Sequence, residues 1–215
     1  MKSSGSQSQH PDLRLAEYKA EEVSKEKYGG ITMSKFTPRS LALCAMTAAL
    51  YAALCLATAP LSYGPVQVRC AEALTLLPLF SPIFIWGVTL GCALSNLVGF
   101  ITGANILGFA DVLFGTAATL IAAICTYLLR RVRFGGVPLL SALPPVLFNA
   151  VIIGLELTVL ETGGFRQQVF AMNAAYVGAG QAVACLVLGL AMVKVLERTG
   201  IAARYLTGET AKTFA

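Results

Sequence analysis

Beyond Leu41 the chain is patterned in long apolar runs, with short polar breaks between them and no amphipathic alternation. Four of these runs, at 41–60, 83–102, 106–129 and 137–160, are long enough to cross a bilayer, which takes about 20 helical residues at roughly 1.5 Å each. A fifth, at 168–195, follows the polar break ETGGFRQQ. The pattern predicts an all-α integral membrane protein, because only structures that satisfy their own backbone can span lipid. Residues 1–36 differ: they are polar, mixed in charge and rich in Ser, Lys and Glu. That composition predicts a disordered or loosely helical cytoplasmic tail. The first apolar run is too long for a signal-peptide core with a cleavage site close behind. Met33 is a candidate natural start, which the intact mass of the natively expressed protein decides.

Charge sets the orientation. The first 40 residues, the RRVR stretch (Arg130, Arg131, Arg133) and the C-terminal end (Lys194, Arg198, Arg204, Lys212) hold 7, 3 and 4 Lys/Arg, 14 of the 16 in the chain, so all three are expected on the cytoplasmic side. The first run leaves the chain outside near Pro60, and it must return inside by Arg130. An odd number of crossings must lie between, and the runs at 83–102 and 106–129 supply two. The stretch YGPVQVRCAEALTLLPLFSP must supply the third, at about 66–80, ended by Pro78 and Pro82. Such a span reaches only about 22 Å as an α-helix, so it is either sheltered by other helices or thins the bilayer locally. The expected organisation is a polar tail (1–36), a six-helix membrane domain (37–198) with both termini cytoplasmic, and a C-terminal tail (199–215).

Composition narrows the function. With 56% hydrophobic and 13% charged residues, the chain lacks the polar surface of a soluble globule of its size. Five of the eleven acids and seven of the sixteen Lys/Arg lie in the first 40 residues, so the net charge of +5 is no argument for nucleic-acid binding. The single histidine, His10, lies in the tail. Ser-His, Cys-His and His-metal arrangements are therefore not available in the membrane. Six cysteines without CxxC spacing read as small buried hydrophobes. No Rossmann, P-loop or zinc motif is present, so no enzyme activity, cofactor or metal is expected. An intramembrane dyad of Glu72 with Asp111 would need the two carboxylates close together, which the sequence leaves open.

Within the membrane part the polar residues are few and placed to one side. Arg69 and Glu72 lie at the outer end of the second span, Asp111 near the outer end of the fourth, and Glu156 and Glu161 near the outer end of the fifth. Gln67, Asn96 and Asn173 fall in outward positions, Asn149 and Gln181 nearer mid-depth. The inner halves carry no ionisable side chain, which predicts a polar cup opening outward on an apolar plug. Charges at membrane depth are costly and mark functional sites by default. The bland alternatives are that Arg69 and Glu72 pair with each other three residues apart and snorkel, and that each amide only joins two helices. Ala45, Ala49, Ala53 and Ala57 repeat every four residues on the first span, beside Ala48 and Ala52. This smooth face suits a second helix, either within the bundle or from a partner. Gly87/Gly91 and Gly99/Gly103 read as internal packing, and Trp86 as an interfacial anchor.

YGPVQVRCAEALTLLPLFSP, followed by GVTLGCALSNLVG and ADVLFGTAATLIAA, closely resembles the QueT family of proposed queuosine-precursor transporters, over about residues 37–198. These are substrate-binding S components of energy-coupling factor (ECF) importers. The resemblance implies an S-component-like six-helix bundle in the bacterial plasma membrane that captures a vitamin-like molecule from outside. It further implies a partner module of one transmembrane coupling protein and two ATPases, docked on Ala45, Ala49, Ala53 and Ala57. The implied cargo is a 7-deazaguanine, preQ1 or queuine. On that footing Glu72 and Asp111 divide the purine-like edge and the ammonium between them, in an order left undecided. Gln67, Arg69 and Asn96 orient the base, Tyr63, Phe100 and Tyr176 are stacking candidates, and Glu156 and Asn173 complete the set of candidate binding residues. The alternatives are an S component for another vitamin, a non-transport membrane scaffold whose charges fix helix packing, and an independent channel or facilitator.

Overall fold

The computed structural model describes residues 37–63 and 68–206. The expectations for the tail, His10, Met33 and Gln67 lie outside the described residues. Five helices carry the apolar runs: α1 Pro38–Ala57, α2 Ile83–Ile101, α3 Ala110–Leu128, α4 Leu143–Thr162 and α5 Gln167–Arg198. Among the described residues the only β pairing is a single bridge between Phe134 and Val137. Each helix is long and apolar enough to cross a membrane. Their lipid-suited sides are exposed leucines and valines such as Leu50, Leu90, Leu113, Leu147 and Val187.

Local signals set the helix ends. Thr37 caps α1 reciprocally: its Oγ1 accepts from the Ser40 amide at 3.2 Å, and Ser40 Oγ accepts from the Thr37 amide at 2.9 Å, with Pro38 in the first turn. At the other extreme α4 stops at Gly163, whose φ of 69° is left-handed. α5 has 32 residues, or about 48 Å of helix, and widens into a π-helical stretch at Val183–Gly189.

The quoted stretch between α1 and α2 forms a 3₁₀ helix at Cys70–Leu79 instead of the expected α-helix. At about 2.0 Å per residue a ten-residue 3₁₀ helix reaches about 20 Å, close to the expected length from fewer residues. Every side chain from Ala71 to Leu79 is buried, against α1, α2, α3 and α5. The surrounding helices shelter it. Side chains three apart eclipse in such a helix, so Arg69, Glu72 and Thr75 form one polar edge, which ends at Pro78. The other two edges are apolar and enter different cores. Ala71, Leu74 and Leu77 pack with Tyr51, Cys55, Phe84 and Val88. Leu76 and Leu79 pack with Ala142, Cys185 and Val193.

Three basic stretches meet at one end of the bundle. Arg39 Nη2 donates to the carbonyls of Arg204 (3.0 Å) and Tyr205 (3.2 Å), tying the start of α1 to the segment after α5. Arg133, in the α3–α4 loop, pairs with Glu197 at 2.6 Å. Within the C-terminal tail expected at 199–215, the described residues include a helical turn at Ala202–Leu206. Arg69 and Asp111 lie at the opposite end, where α3 begins.

Close helix contacts use glycine. A Cβ at Gly91 would lie 2.6 Å from Tyr51 Cβ and 2.9 Å from the Ala48 carbonyl, and one at Gly87 would lie 2.9 Å from Thr47 Cβ. These two glycines let α2 sit directly on α1. Gly154 does the same for α4 and α5, with a notional Cβ 2.8 Å from Ala174 Cα. The inward face of α1 is Cys44, Thr47, Ala48, Tyr51 and Cys55. Ala45, Ala49, Ala53 and Ala57 are all exposed, so among the described residues they pack against nothing extensive.

Candidate functional site

Arg69 stands at the start of the 3₁₀ helix and is only 2% exposed. Its Nη2 meets Asp111 Oδ2 at 2.5 Å, its Nε donates to the Ser62 carbonyl at 3.1 Å, and its guanidinium lies 5.4 Å from the centre of the Tyr63 ring. Tyr63 is held by its hydroxyl, which donates to the Ser95 carbonyl of α2 at 2.6 Å. The counter-ion of Arg69 is therefore Asp111, 42 residues away, and not Glu72 as the local-pair reading has it. Asp111 in turn acquires the partner it lacked in sequence.

Asp111 sits in the first turn of α3, where a carboxylate also favours the helix dipole. Its Oδ2 accepts a second bond, from Asn105 Nδ2 at 2.8 Å. Asn105 is fixed by the Leu107 amide, which donates to its Oδ1 at 3.1 Å. Asn96 of α2 donates to the Asp111 carbonyl at 2.8 Å. Gly115, one turn on, leaves the room: a Cβ there would collide with Asp111 Oδ1 and lie 2.8 Å from Asn96 Nδ2.

Glu72, three residues after Arg69, is fully buried. One oxygen accepts from the Tyr51 hydroxyl of α1 at 2.6 Å. The other has no partner among the described residues. The same is true of Asn96 Oδ1, Asp111 Oδ1, Thr116 Oγ1, Asn149 Nδ2 and both oxygens of Glu156. Native interiors pair nearly all such atoms, so this concentration of unpaired ones has the character of a recognition site. Asn149 approaches Glu72 from α4 without a well-aligned bond, and Glu156 lies within electrostatic range of Asp111 and Arg69.

The structure thus brings together Tyr63, Arg69, Glu72, Asn96 and Asp111, with the buried carboxylate oxygens of Glu156 within electrostatic range of Arg69 and Asp111. Three candidates stay apart. Phe100 is 44% exposed and packs edge-on against Phe109 at 5.7 Å, because the inward stripe of α2 runs through Cys92, Ser95, Asn96 and Gly99. Tyr176 is 49% exposed, beside an inward stripe of Asn173, Val177 and Gly180. Asn173 donates to Glu161 Oε2 (3.2 Å) and Thr158 Oγ1 (3.3 Å), joining α5 to α4. Tyr51, Asn105 and Asn149 are members the sequence reading left out of the site. Only Asn149 carried a signal, an amide at mid-depth. Towards the basic end lies the apolar packing of Leu76, Leu79, Ala142, Cys185 and Val193, and among the described residues no group of three or more His, Cys, Asp or Glu could hold a metal.

Apolar helices around a buried, charged and partly unpaired centre define a multi-pass membrane protein whose polar chemistry lies within the bundle. The sequence profile of the QueT transporter family matches residues 41–198. The chain belongs to the QueT transporter family, a multi-pass protein of the cell membrane. It is similar to the queuosine precursor transporter QueT of Lactococcus lactis subsp. cremoris (strain MG1363), with 33% identity over 91 residues, 41% of this chain and 50% of that protein. The chain thus spans about half the length of that curated relative. No solved structure matches it.

Proposed function

We propose that this chain is the substrate-binding S component of an ECF-type importer and captures a queuosine precursor, preQ1 or queuine, from outside the cell. It is not an enzyme in this reading. It crosses the membrane six times, the 3₁₀ helix serving as the second crossing, with both termini in the cytoplasm. The basic end, tied together through Arg39, Arg133 and the segment after α5, is then the cytoplasmic one. The observation that carries the reading is the buried group of Arg69, Glu72, Asp111 and Glu156 at the opposite end, whose spare acceptors match a ligand rich in N–H groups. A scaffold would have no reason to leave them unpaired. Another vitamin of the same donor-rich character would also fit, because pocket chemistry and not the fold sets the ligand.

The exposure of Ala45, Ala49, Ala53 and Ala57 supports a docking face for a coupling protein and its two ATPases, which must supply the hydrolysis this chain has no P-loop to perform. Isothermal calorimetry of the detergent-purified protein with preQ1, queuine, guanine, riboflavin and biotin tests the cargo. Stoichiometric binding of one deazaguanine in preference to guanine is expected. Binding of riboflavin or biotin instead would transfer the S-component role to that vitamin. Silence from folded protein with all five would remove the queuosine-precursor reading.

A further inference from the structure

The unpaired atoms of the centre are unequal in kind. Five are acceptor oxygens: Glu72 Oε2, Asn96 Oδ1, Asp111 Oδ1 and the two of Glu156. One is an amide donor, Asn149 Nδ2, and one a hydroxyl, Thr116 Oγ1. Three carboxylates share a single guanidinium, which Asp111 already engages. A ligand that completes this set must bring several N–H donors and positive charge, and it must bring an acceptor for Asn149. Asn149 is 3% exposed, so its free N–H group is not satisfied by bulk water.

Asn149 and Glu156 are seven residues apart on α4. Seven residues are nearly two full turns, so both fall on one face, about 10.5 Å apart along the axis. Ile153 and Leu157, both 2% exposed, lie on that same inward face. Two hydrogen bonds of about 2.8 Å, one from each side chain, would leave about 5 Å between the ligand atoms they meet. Beside Asn149 the Glu72 carboxylate, whose Oε2 is unpaired among the described residues, offers an acceptor near the amide donor. Adjacent acceptor and donor are the complement of a lactam edge, an N–H beside a carbonyl.

We propose that Asn149 and Glu156 divide the recognition of the ligand: Asn149, with Glu72, reads the N–H/C=O edge of an oxo-base, and Glu156 binds a cationic amino group carried beside that carbonyl. Asp111 is then a positioning residue for Arg69 and not the ammonium site. This assignment rests on the queuosine-precursor reading and fixes the order of contacts within it.

A residue-by-ligand cycle tests it, with 7-aminomethyl-7-deazaguanine, its neutral 7-cyano counterpart and the 6-deoxo analogue of the aminomethyl base as probes in calorimetric titrations. The parent binds the aminomethyl base about 10- to 100-fold more tightly than the cyano base, the range for a hydrogen bond to a charged group. Glu156→Gln loses that factor for the aminomethyl base and changes the cyano base by less than about threefold. Asn149→Ala weakens the aminomethyl base about 5- to 50-fold and leaves the 6-deoxo analogue unchanged. Glu156→Asp replaces Glu156→Gln if the latter does not fold, and the aminomethyl-to-cyano ratio of the parent needs no variant at all. Equal affinity of the parent for the two bases, or an equal loss of both in Glu156→Gln, overturns the assignment while leaving the cargo class standing. A parent that binds none of the three removes the cargo reading, and the assignment with it.

Discussion

Removing the Asp111 carboxylate while keeping its shape should cost more than any other single conservative change in the bundle. In Asp111→Asn, Arg69 remains 2% exposed but loses the counter-ion its Nη2 meets at 2.5 Å. The Asn105 amide, which donates to that same oxygen at 2.8 Å, then faces either a carbonyl or a second amide. Breaking a buried ion pair from one side costs about 3–5 kcal/mol, because the remaining charge stays desolvated. In a chain of this size that corresponds to a fall of about 6–20 °C in the unfolding midpoint. The double variant Arg69→Met/Asp111→Leu should recover most of the loss, since apolar replacement of both partners is close to neutral. The assay is a double-mutant cycle read by unfolding in one detergent, with Arg69→Met and Asp111→Leu as its two single-variant corners and Asp111→Asn measured beside them. Single variants that both melt within about 2 °C of the parent, or a double variant as unstable as the sum of the singles, would refute the pairing as a structural unit.

Tyr51→Phe removes the hydroxyl that donates to the Glu72 carboxylate at 2.6 Å and should cost about 1–3 kcal/mol; an unchanged midpoint would show that the contact carries no stability. Gly91→Val should force α1 and α2 apart, given the 2.6 Å that separates a notional Cβ from Tyr51, at about 1–3 kcal/mol or more. Gly164→Ala, with nothing within 4 Å, is the matched control, and equal behaviour of the two would contradict the contact. Ala49→Trp with Ala53→Trp should leave the midpoint and cargo binding unchanged, because both positions are exposed, yet abolish copurification with the ATPase partners. Loss of cargo binding as well would assign that face to internal packing.

The long helices were legible because twenty consecutive apolar residues admit few alternatives in lipid. Each lies within a few residues of its run. Parity also pointed to the stretch between α1 and α2 as structured and apolar, although not to its 3₁₀ form, since hydropathy does not distinguish rises of 1.5 and 2.0 Å per residue. The centre was legible as a list but not as a set of bonds. Nothing in local spacing chooses Asp111 over Glu72 as the partner of Arg69, because that choice depends on how α3 meets the start of the 3₁₀ helix. Tyr51 was hidden in a plain apolar run, where a lone hydroxyl is ordinary. Phe100 and Tyr176 lie on the outer side of their helices, a placement that depends on the helix phase set by the glycine and amide stripes and not on nearness to a polar residue in sequence.

The three-sided character of Cys70–Leu79 bears on how this segment can change over evolutionary time. Its polar edge and its two apolar edges each serve a different neighbourhood, so one inserted or deleted residue would turn everything beyond it by about 120°. The Leu74 column would then face the carboxylates, and Thr75 would enter a leucine core. No partial error is available, because every edge is already committed. Length variation here is expected only in units of three, the period that returns each column to its place, whereas the α-helices around it follow their own repeat of seven.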